Sequence, residues 1–358
     1  MSQTFEGLLA ACRTLAVPSS DDERFVEWLG SCSQLGVSRQ SDGGIEVFIR
    51  GGPLRTRSRL VQRHLRHDEW REQAGATFEA NRVVLPSDDH FTAVAAFLAE
   101  ELFRLGVEED PRTAFESAEP LIEMALRGNA LPEDVQIGLV GELLLLGDLL
   151  RSATSQVHTA RCLDAWRGYE QSNRDFVFPE RIEIEVKTTR GLDSRHPISR
   201  LSQIDPSRTP AGIPTEQLYL VSLGITPAQD ADGVTIPDLV ELILLQLGDP
   251  TTPANRNPMQ ELFLKFVARY GPEGRGYVHD KMKSWTSYAD RWERRFVRVY
   301  DMNDPRLGIL RKSDVESLDH VVPETVRLTV NLPIDPVSPR NPVKDVEDWI
   351  VRVGCGEG

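Results

Sequence analysis

An α/β core is the fold class the sequence predicts, and three observations carry it. Segments with helical and strand periodicity are interleaved along the 358 residues rather than segregated. The longest helical pattern, about 133–152, leads into strand patterns at about 175–178, 182–188 and 217–224. Two further helices, about 236–247 and 258–270, then precede a strand-like ERRFVRVYDM. A chain of this length exceeds one small core and suits two or three packed units.

The N-terminal part mixes types. Ser20 and Glu23 read as a capping box that would open a helix over ERFVEWLGSC. GIEVFIR alternates like a strand, and ATFEANRVVLP reads as another. SDDHFTAVAAFLAEELFRLG reads as a helix capped at Ser87 or Asp88. Capping accounts for Asp88, Asp89 and His90 better than a metal cluster does. FESAEPLIEMALRGN is a further amphipathic helix, and the turn GNALPED marks a boundary near residue 130. The expected division is an N-terminal α+β region at 1–130, for DNA or partner contact, then a core at 131–225. Helices and a strand at 226–358 would pack on that core. The segment NLPIDPVSPRNPV is expected to run over the surface before a final helix, KDVEDWIVRV.

Composition excludes several classes. The first residues lack a basic stretch followed by an apolar run, so no signal peptide is read. The apolar segments GLVGELLLLGDLL and LVELILLQLG are broken by acids and fall short of the ~20 residues a membrane span needs. A cytoplasmic protein without membrane contact is expected. Cys12, Cys32, Cys162 and Cys355 are scattered without a C-x-x-C pair, which fits reduced thiols rather than zinc or disulfides. Cys355, in the GCGEG tail, is expected to be exposed. A net charge of −14 argues against coating nucleic acid by bulk electrostatics. Seven arginines between Arg50 and Arg71 nevertheless stand against only Asp68 and Glu69. That run reads equally as a phosphate contact and as a solvated surface or a patch for an acidic partner.

The middle of the chain carries the chemistry. Leu139, Leu143, Leu146 and Leu150 share one helical face, and Glu142 lies one turn from Leu139 and Leu146 on that face. A carboxylate turned toward a core is costly unless it is paired or bound to metal. In DFVFPERIEIEVKTT, Ile182, Ile184 and Val186 point one way, and Glu183, Glu185 and Lys187 the other. The PER linkage predicts a hairpin that brings Asp175 beside the later part of the second strand. Two carboxylates and a lysine then converge, with Glu142 close by. Hydrolysis of a phosphodiester needs such a set: hard oxygens for Mg²⁺, and an ammonium to orient water and stabilise charge on phosphorus. Asp175 and Glu185 are expected to bind the metal, with the carbonyl of Val186 as a further ligand. Lys187 would orient the attacking water, and Glu142 would hold the water shell or a second ion. An E-x-K pair on its own is common as a solvent-side ion pair. The combination is what carries the expectation.

The order of a helical GE, then D, then E-x-K on a strand resembles the PD-(D/E)xK nuclease superfamily. More narrowly, the chain resembles a bacterial group of that superfamily found among phage-defence and restriction-type gene clusters. The matching stretches are GLVGELLLLGDLL, AWRG, RDFVF, IEVKTT, HPISRLSQI and LYLVSL, with RRFVRVYDMNDPRLGIL further on. The block from 138 to 204 is the specific part. The resemblance implies a restriction-endonuclease-like mixed central sheet flanked by helices, preceded by the N-terminal α+β region. It places Glu142, Asp175, Glu185 and Lys187 at the metal and catalytic positions, and Gln203 beside the site, toward phosphate or the metal's water. Arg174 stands where the motif has proline, and Glu183 adds an acid on or just outside the active face. His196 reads equally as a DNA or leaving-group contact and as a loop histidine. Trp166 and Gly168 read as packing and turn residues.

The expected function is Mg²⁺-dependent hydrolysis of DNA, with Mn²⁺ able to substitute. The resemblance implies partner subunits of methyltransferase and ATPase or helicase-like type, and a homodimer is among the assemblies it implies. The alternative is a catalytically silent DNA-binding or assembly subunit with the same fold. No nucleophile elbow, P-loop, dinucleotide fingerprint or H-E-x-x-H motif is present.

Overall fold

The computed structural model describes residues 4–72, 74–87, 90–127, 130–170, 174–209, 211–228, 233–248, 256–271 and 276–356. The chain divides into two compact units, residues 1–130 with 284–287 and residues 131–283 with 288–358. Mixed and antiparallel sheets flanked by helices make it an α/β protein. Among the described residues no helix is long and apolar enough to cross a membrane. All four cysteines are free, and Cys355 is half-buried rather than exposed, its Sγ 3.6 Å from the carbonyl of Ser152.

The first unit contains α1 (Phe5–Thr14), β1 (Glu27–Leu29), β2 (Leu35–Arg39), β3 (Ile45–Arg50), α2 (Arg59–His64), β4 (Leu65–Arg71), β5 (Thr77–Val84), α3 (Phe91–Arg104) and α4 (Pro111–Arg127). Its five strands form an antiparallel sheet in the order β1-β2-β3-β5-β4. Strand alternation turns Val37, Val47, Ile49 and Val83 into a core shared with Leu8 and Cys12 of α1, Leu98 of α3 and Ile122 of α4. The helix expected over ERFVEWLGSC is not formed. Glu27–Leu29 pairs with β2 instead, the Trp28 ring lies against Gly36, and Arg24 is drawn to Glu46 of β3 at 2.6 Å. Strand pairing and ring packing outweigh the local cap signal here. The start of α3 also differs from expectation. His90 is its N-cap without a capping bond from the side chain, while Ser87 donates to Asp42 at 2.7 Å. Asp88 and Asp89 lie outside the described residues.

The second unit contains α5 (Glu133–Ser152), α6 (Gln156–Ala165), β6 (Phe176–Val177), β7 (Ile182–Thr189), β8 (Ser194–Ile198), β9 (Gln217–Pro227), α7 (Ile236–Leu247), α8 (Pro258–Arg269), α9 (His279–Met282), β10 (Trp292–Asp301), α10 (Lys312–Glu316), β11 (Leu328–Leu332) and α11 (Val346–Cys355). The central sheet runs β10-β9-β7-β6, with β7 and β9 parallel and the outer pairs antiparallel. Capping boxes open two helices, Thr235 with Asp238 for α7 and Asn257 with Gln260 for α8, and each is followed by a proline in the first turn. The proline-rich segment 331–343 is mostly exposed, as expected. Its first two residues, Asn331 and Leu332, end β11, which pairs with β8 and buries Val330 and Leu332 against Ile198, Leu220 and Tyr300.

The approach of α5 to β7 sets up the site. Gly141, one residue before Glu142, has no side chain, and a Cβ there would meet Thr188 Oγ1 at 1.9 Å. The glycine therefore lets the helix backbone lie directly on the strand that carries Glu185 and Lys187. Gly147, two turns on, has room for a methyl group, since a Cβ there would meet Gln246 Oε1 at an ordinary 4.0 Å. Two substitutions in one helix should then act in opposite directions. Gly141→Ala should destabilise the protein by about 1–3 kcal/mol through overpacking. Gly147→Ala should stabilise it by about 0.5–1 kcal/mol through backbone entropy. Urea midpoints of the two variants against wild type read both effects.

Candidate active site

Strand β7 is the spine of the site. Ile182, Ile184 and Val186 are buried, as is Glu185, while Lys187 is half-buried. Glu185 Oε1 lies 2.7 Å from Lys187 Nζ and accepts from Gln203 Nε2 at 2.8 Å. The 3-10 turn Leu201–Gln203 holds that glutamine, whose Oε1 in turn accepts from Ser199 N and Oγ. Gln203 thus faces Glu185 directly.

The hairpin through β6 delivers Asp175. Its N–H donates to the carbonyl of Ile184, and its Oδ2 accepts from the N–H of Val186 at 2.6 Å. The carboxylate therefore sits beside the backbone of β7, between Glu185 and Lys187 in sequence. Val186 enters the site through its N–H. Arg174 takes a buried position where the motif has proline. It pairs with Glu183 at 2.7 Å and donates to the carbonyl of Ser202. One guanidinium thus ties the hairpin to the Gln203 turn and pairs the charge of Glu183.

Glu142 comes from the buried face of α5. Tyr270 Oη donates to its Oε1 at 2.6 Å, and Trp166 Nε1 donates to its Oε2 at 2.8 Å. Trp166 is fully buried, with Tyr270 stacked at 6.3 Å between ring centroids. Trp166 therefore does more than pack. Gly168 leaves room for the carboxylate, since a Cβ there would lie 1.7 Å from Glu142 Oε2. Neither donor was legible as a partner of Glu142, because Tyr270 is 128 residues away in sequence and an indole N–H carries no motif.

Burial decides the electrostatics. It pushes the Glu142 carboxyl up to about 7, against the bonds from Tyr270 and Trp166 and with added repulsion from Glu185. Burial also drives Asp175 well above the usual carboxylate range, reinforced by Glu142 and Glu185. Glu185 is raised by burial too, against the opposing pull of Lys187. The three acids thus feel one another and a single ammonium. Asp175 and Lys187 retain some exposed surface and are the members solvent can reach. His196 is not an accessible contact. It is buried, bonds to Ser222 Oγ at 2.8 Å, and burial lowers it to about 4, so it is a neutral core histidine.

The donor chemistry fits a hard divalent cation. Asp175 and Glu185 offer carboxylate oxygens on adjoining strands, and Mg²⁺ needs only one or two carboxylates because it keeps several waters. Among the described residues no group of three or more His, Cys, Asp or Glu side chains is placed to hold a metal ion, so a cation here would rest on Asp175 and Glu185 with water. Three repelling acids with raised proton affinity are nevertheless a setting that a dication relieves.

Mixed sheet, hairpin aspartate and E-x-K strand together define a nuclease-like α/β protein of the PD-(D/E)XK class. The chain belongs to the family described as "Putative PD-(D/E)XK family member" (DUF4420), whose model matches residues 80–299. Neither the curated proteins nor the solved structures give a match.

The raised carboxyls have a consequence for stability. Glu142 binds its proton more tightly folded than unfolded. Its contribution is fully present below about 4.5 and is lost as pH rises through about 7. Asp175 and Glu185 act with the same sign. In metal-free buffer, Glu142→Gln should flatten the loss of stability between pH 5 and pH 8 relative to wild type, read from urea midpoints across that range.

Proposed function

We propose that this chain is a Mg²⁺-dependent deoxyribonuclease, able to use Mn²⁺, and the cytoplasmic nuclease subunit of a bacterial anti-phage or restriction-type system. The convergence of Glu142, Asp175 and Glu185 on Lys187 carries this reading, together with the family match. Asp175 and Glu185 would hold the ion, with the carbonyl of Val186 beside them, and Glu142 would hold its water shell. When bound, the dication supplies charge stabilisation at the phosphoryl group and lowers the pKa of the attacking water.

The chain's own residues do the rest. Lys187 orients the attacking water and stabilises charge that builds on phosphorus. Gln203 fixes the carboxylate of Glu185 through its 2.8 Å bond. Tyr270 and Trp166 fix Glu142 and shield it from bulk water. The phosphodiester is the substrate these groups suit, and DNA is the form the family resemblance implies. ATPase or helicase-like and methyltransferase subunits would load the enzyme and choose its targets. The net charge of −14 supports that dependence, because it weakens long-range attraction to DNA.

A second reading, a silent assembly subunit, draws on one observation. Each carboxylate already has a protein donor, so the cluster can persist without an ion. Nicking of supercoiled DNA with Mg²⁺ or Mn²⁺ separates the two. Wild type should nick in a metal-dependent way, and Lys187→Ala and Asp175→Ala should each lose about 100-fold or more. Cleavage that survives both substitutions would remove the activity from this site. A wild type inert in both metals would favour the silent subunit.

A further inference from the structure

We propose that one margin of the N-terminal unit, formed by residues 51–58, α2 and the edge strand β4, contacts the phosphate backbone of duplex DNA through Arg55, Arg57 and Arg59 and, from the two faces of the edge strand, through Arg66 and Arg71. The margin lies before residue 80, outside the span of the family match.

Charge is segregated in this unit. Residues 1–130 contain fourteen arginines, no lysine and 21 acids, and half of those arginines fall between residues 50 and 71 beside two acids. Elsewhere in the unit several guanidinium groups are paired, Arg24 and Arg82 with Glu46 and Arg104 with Glu101. The five named arginines are exposed, and among the described residues none has an ion-pair partner. Of the nearby acids, Asp68 is held by Arg82 and Glu72 by Arg50, and Glu79, exposed on β5 beside Gly52, lies 4.0 Å from His67. Among the described residues of the margin, only Glu69 is an exposed acid without such a pair. A unit rich in carboxylates has thus left one margin positive.

The margin is built rather than loose. Asn81, 1% exposed, donates to the carbonyls of Gly51 and Gly52 at 3.3 and 3.0 Å and accepts from Leu54 N–H at 2.9 Å. Glu119, also buried, accepts from the N–H groups of Arg57 and Ser58 at 2.6 and 2.8 Å. Ser58 then caps α2. Two buried polar side chains therefore fix the backbone that carries Arg55, Arg57 and Arg59. A backbone fixed in advance loses less entropy on binding. Guanidinium groups suit phosphate because they can bond it through two N–H groups at once.

On the sheet face away from Asn81, beside Arg66, the aromatic rings offer a single strand no open platform. Arg50 stacks over Trp28 and Phe78 at 4.8 and 4.4 Å, and Arg82 stacks over Trp70 at 4.9 Å. Phe48 is sealed beneath, in edge contact with both tryptophans. Guanidinium groups already occupy these rings, so unstacked bases find no open platform. Contact through the backbone of a duplex is what the arginines offer, without sequence readout.

The test is binding of the full chain to a short labelled duplex of arbitrary sequence, by anisotropy in EDTA across a salt series. EDTA stops cleavage, so the readout does not depend on the catalytic reading. R55A/R57A/R59A should weaken binding at least about tenfold and lower the slope of log K against log salt by about 0.9 for each phosphate no longer neutralised. R66A/R71A should act in the same direction, and R55K/R57K/R59K should restore most of the slope. Circular dichroism checks that the fold is kept. Unchanged affinity and slope in both alanine variants would overturn the proposal, as would a preference for single strands over duplex. DNA cleavage with binding indifferent to these arginines would overturn this proposal alone. Binding through them without any cleavage would overturn only the nuclease reading.

Discussion

Desolvation of three carboxylates around one ammonium is the constraint on which the second unit depends. The effective penalty for burying one such ion is several kcal/mol. A hydrogen bond to a charged group returns about 1.5–3 kcal/mol. Glu142 has two side-chain donors and still binds its proton up to about pH 7, so its donors do not fully offset its burial. Asp175 has the single bond from Val186 N–H and is raised well above its usual range. Glu185 is the best compensated, by Lys187 and Gln203, and is still raised. The apolar packing of α5 against β7 holds these groups together at that cost. Gly141 and Gly168 are where backbone gives way so that they can meet.

Much of this second unit was legible in sequence. Helix period alone gave residues 133–152 for α5 and 236–247 for α7, and both match the structure. Alternation in IEIEVKTT separated the apolar face from the charged one, and the short PER link correctly implied a hairpin. Local chemistry could not reveal partners far along the chain. Tyr270, Trp166 and the Arg174 contact to the Gln203 turn are tertiary bonds without a periodic signature. His196 was ambiguous because sequence does not report burial, and Ser222, its partner, lies on β9.

The first unit was harder to read. A cap signal at Ser20 and Glu23 is a local preference, and the sheet overrode it by pairing β1 with β2. Strand β4 was missed because LRHDEWR is mostly charged and lies at a sheet edge, where burial imposes no alternation. The prolines rightly marked a surface run in the second unit's tail, but the strand β11 just before them, which pairs with β8, was not read. Charge density at Arg50–Arg71 was visible, but which arginines lack partners depends on the fold: Arg50 is paired and capped on rings, while the five arginines of the margin are not.

Calorimetric titration of Mn²⁺ into the metal-free chain addresses the carboxylate cluster most directly, because it needs neither substrate nor partner subunits. Saturable binding that is abolished by Asp175→Ala and weakened by Glu185→Gln is the expected result. No binding by wild type, or binding indifferent to both substitutions, would contradict the assignment of these clustered acids to a metal.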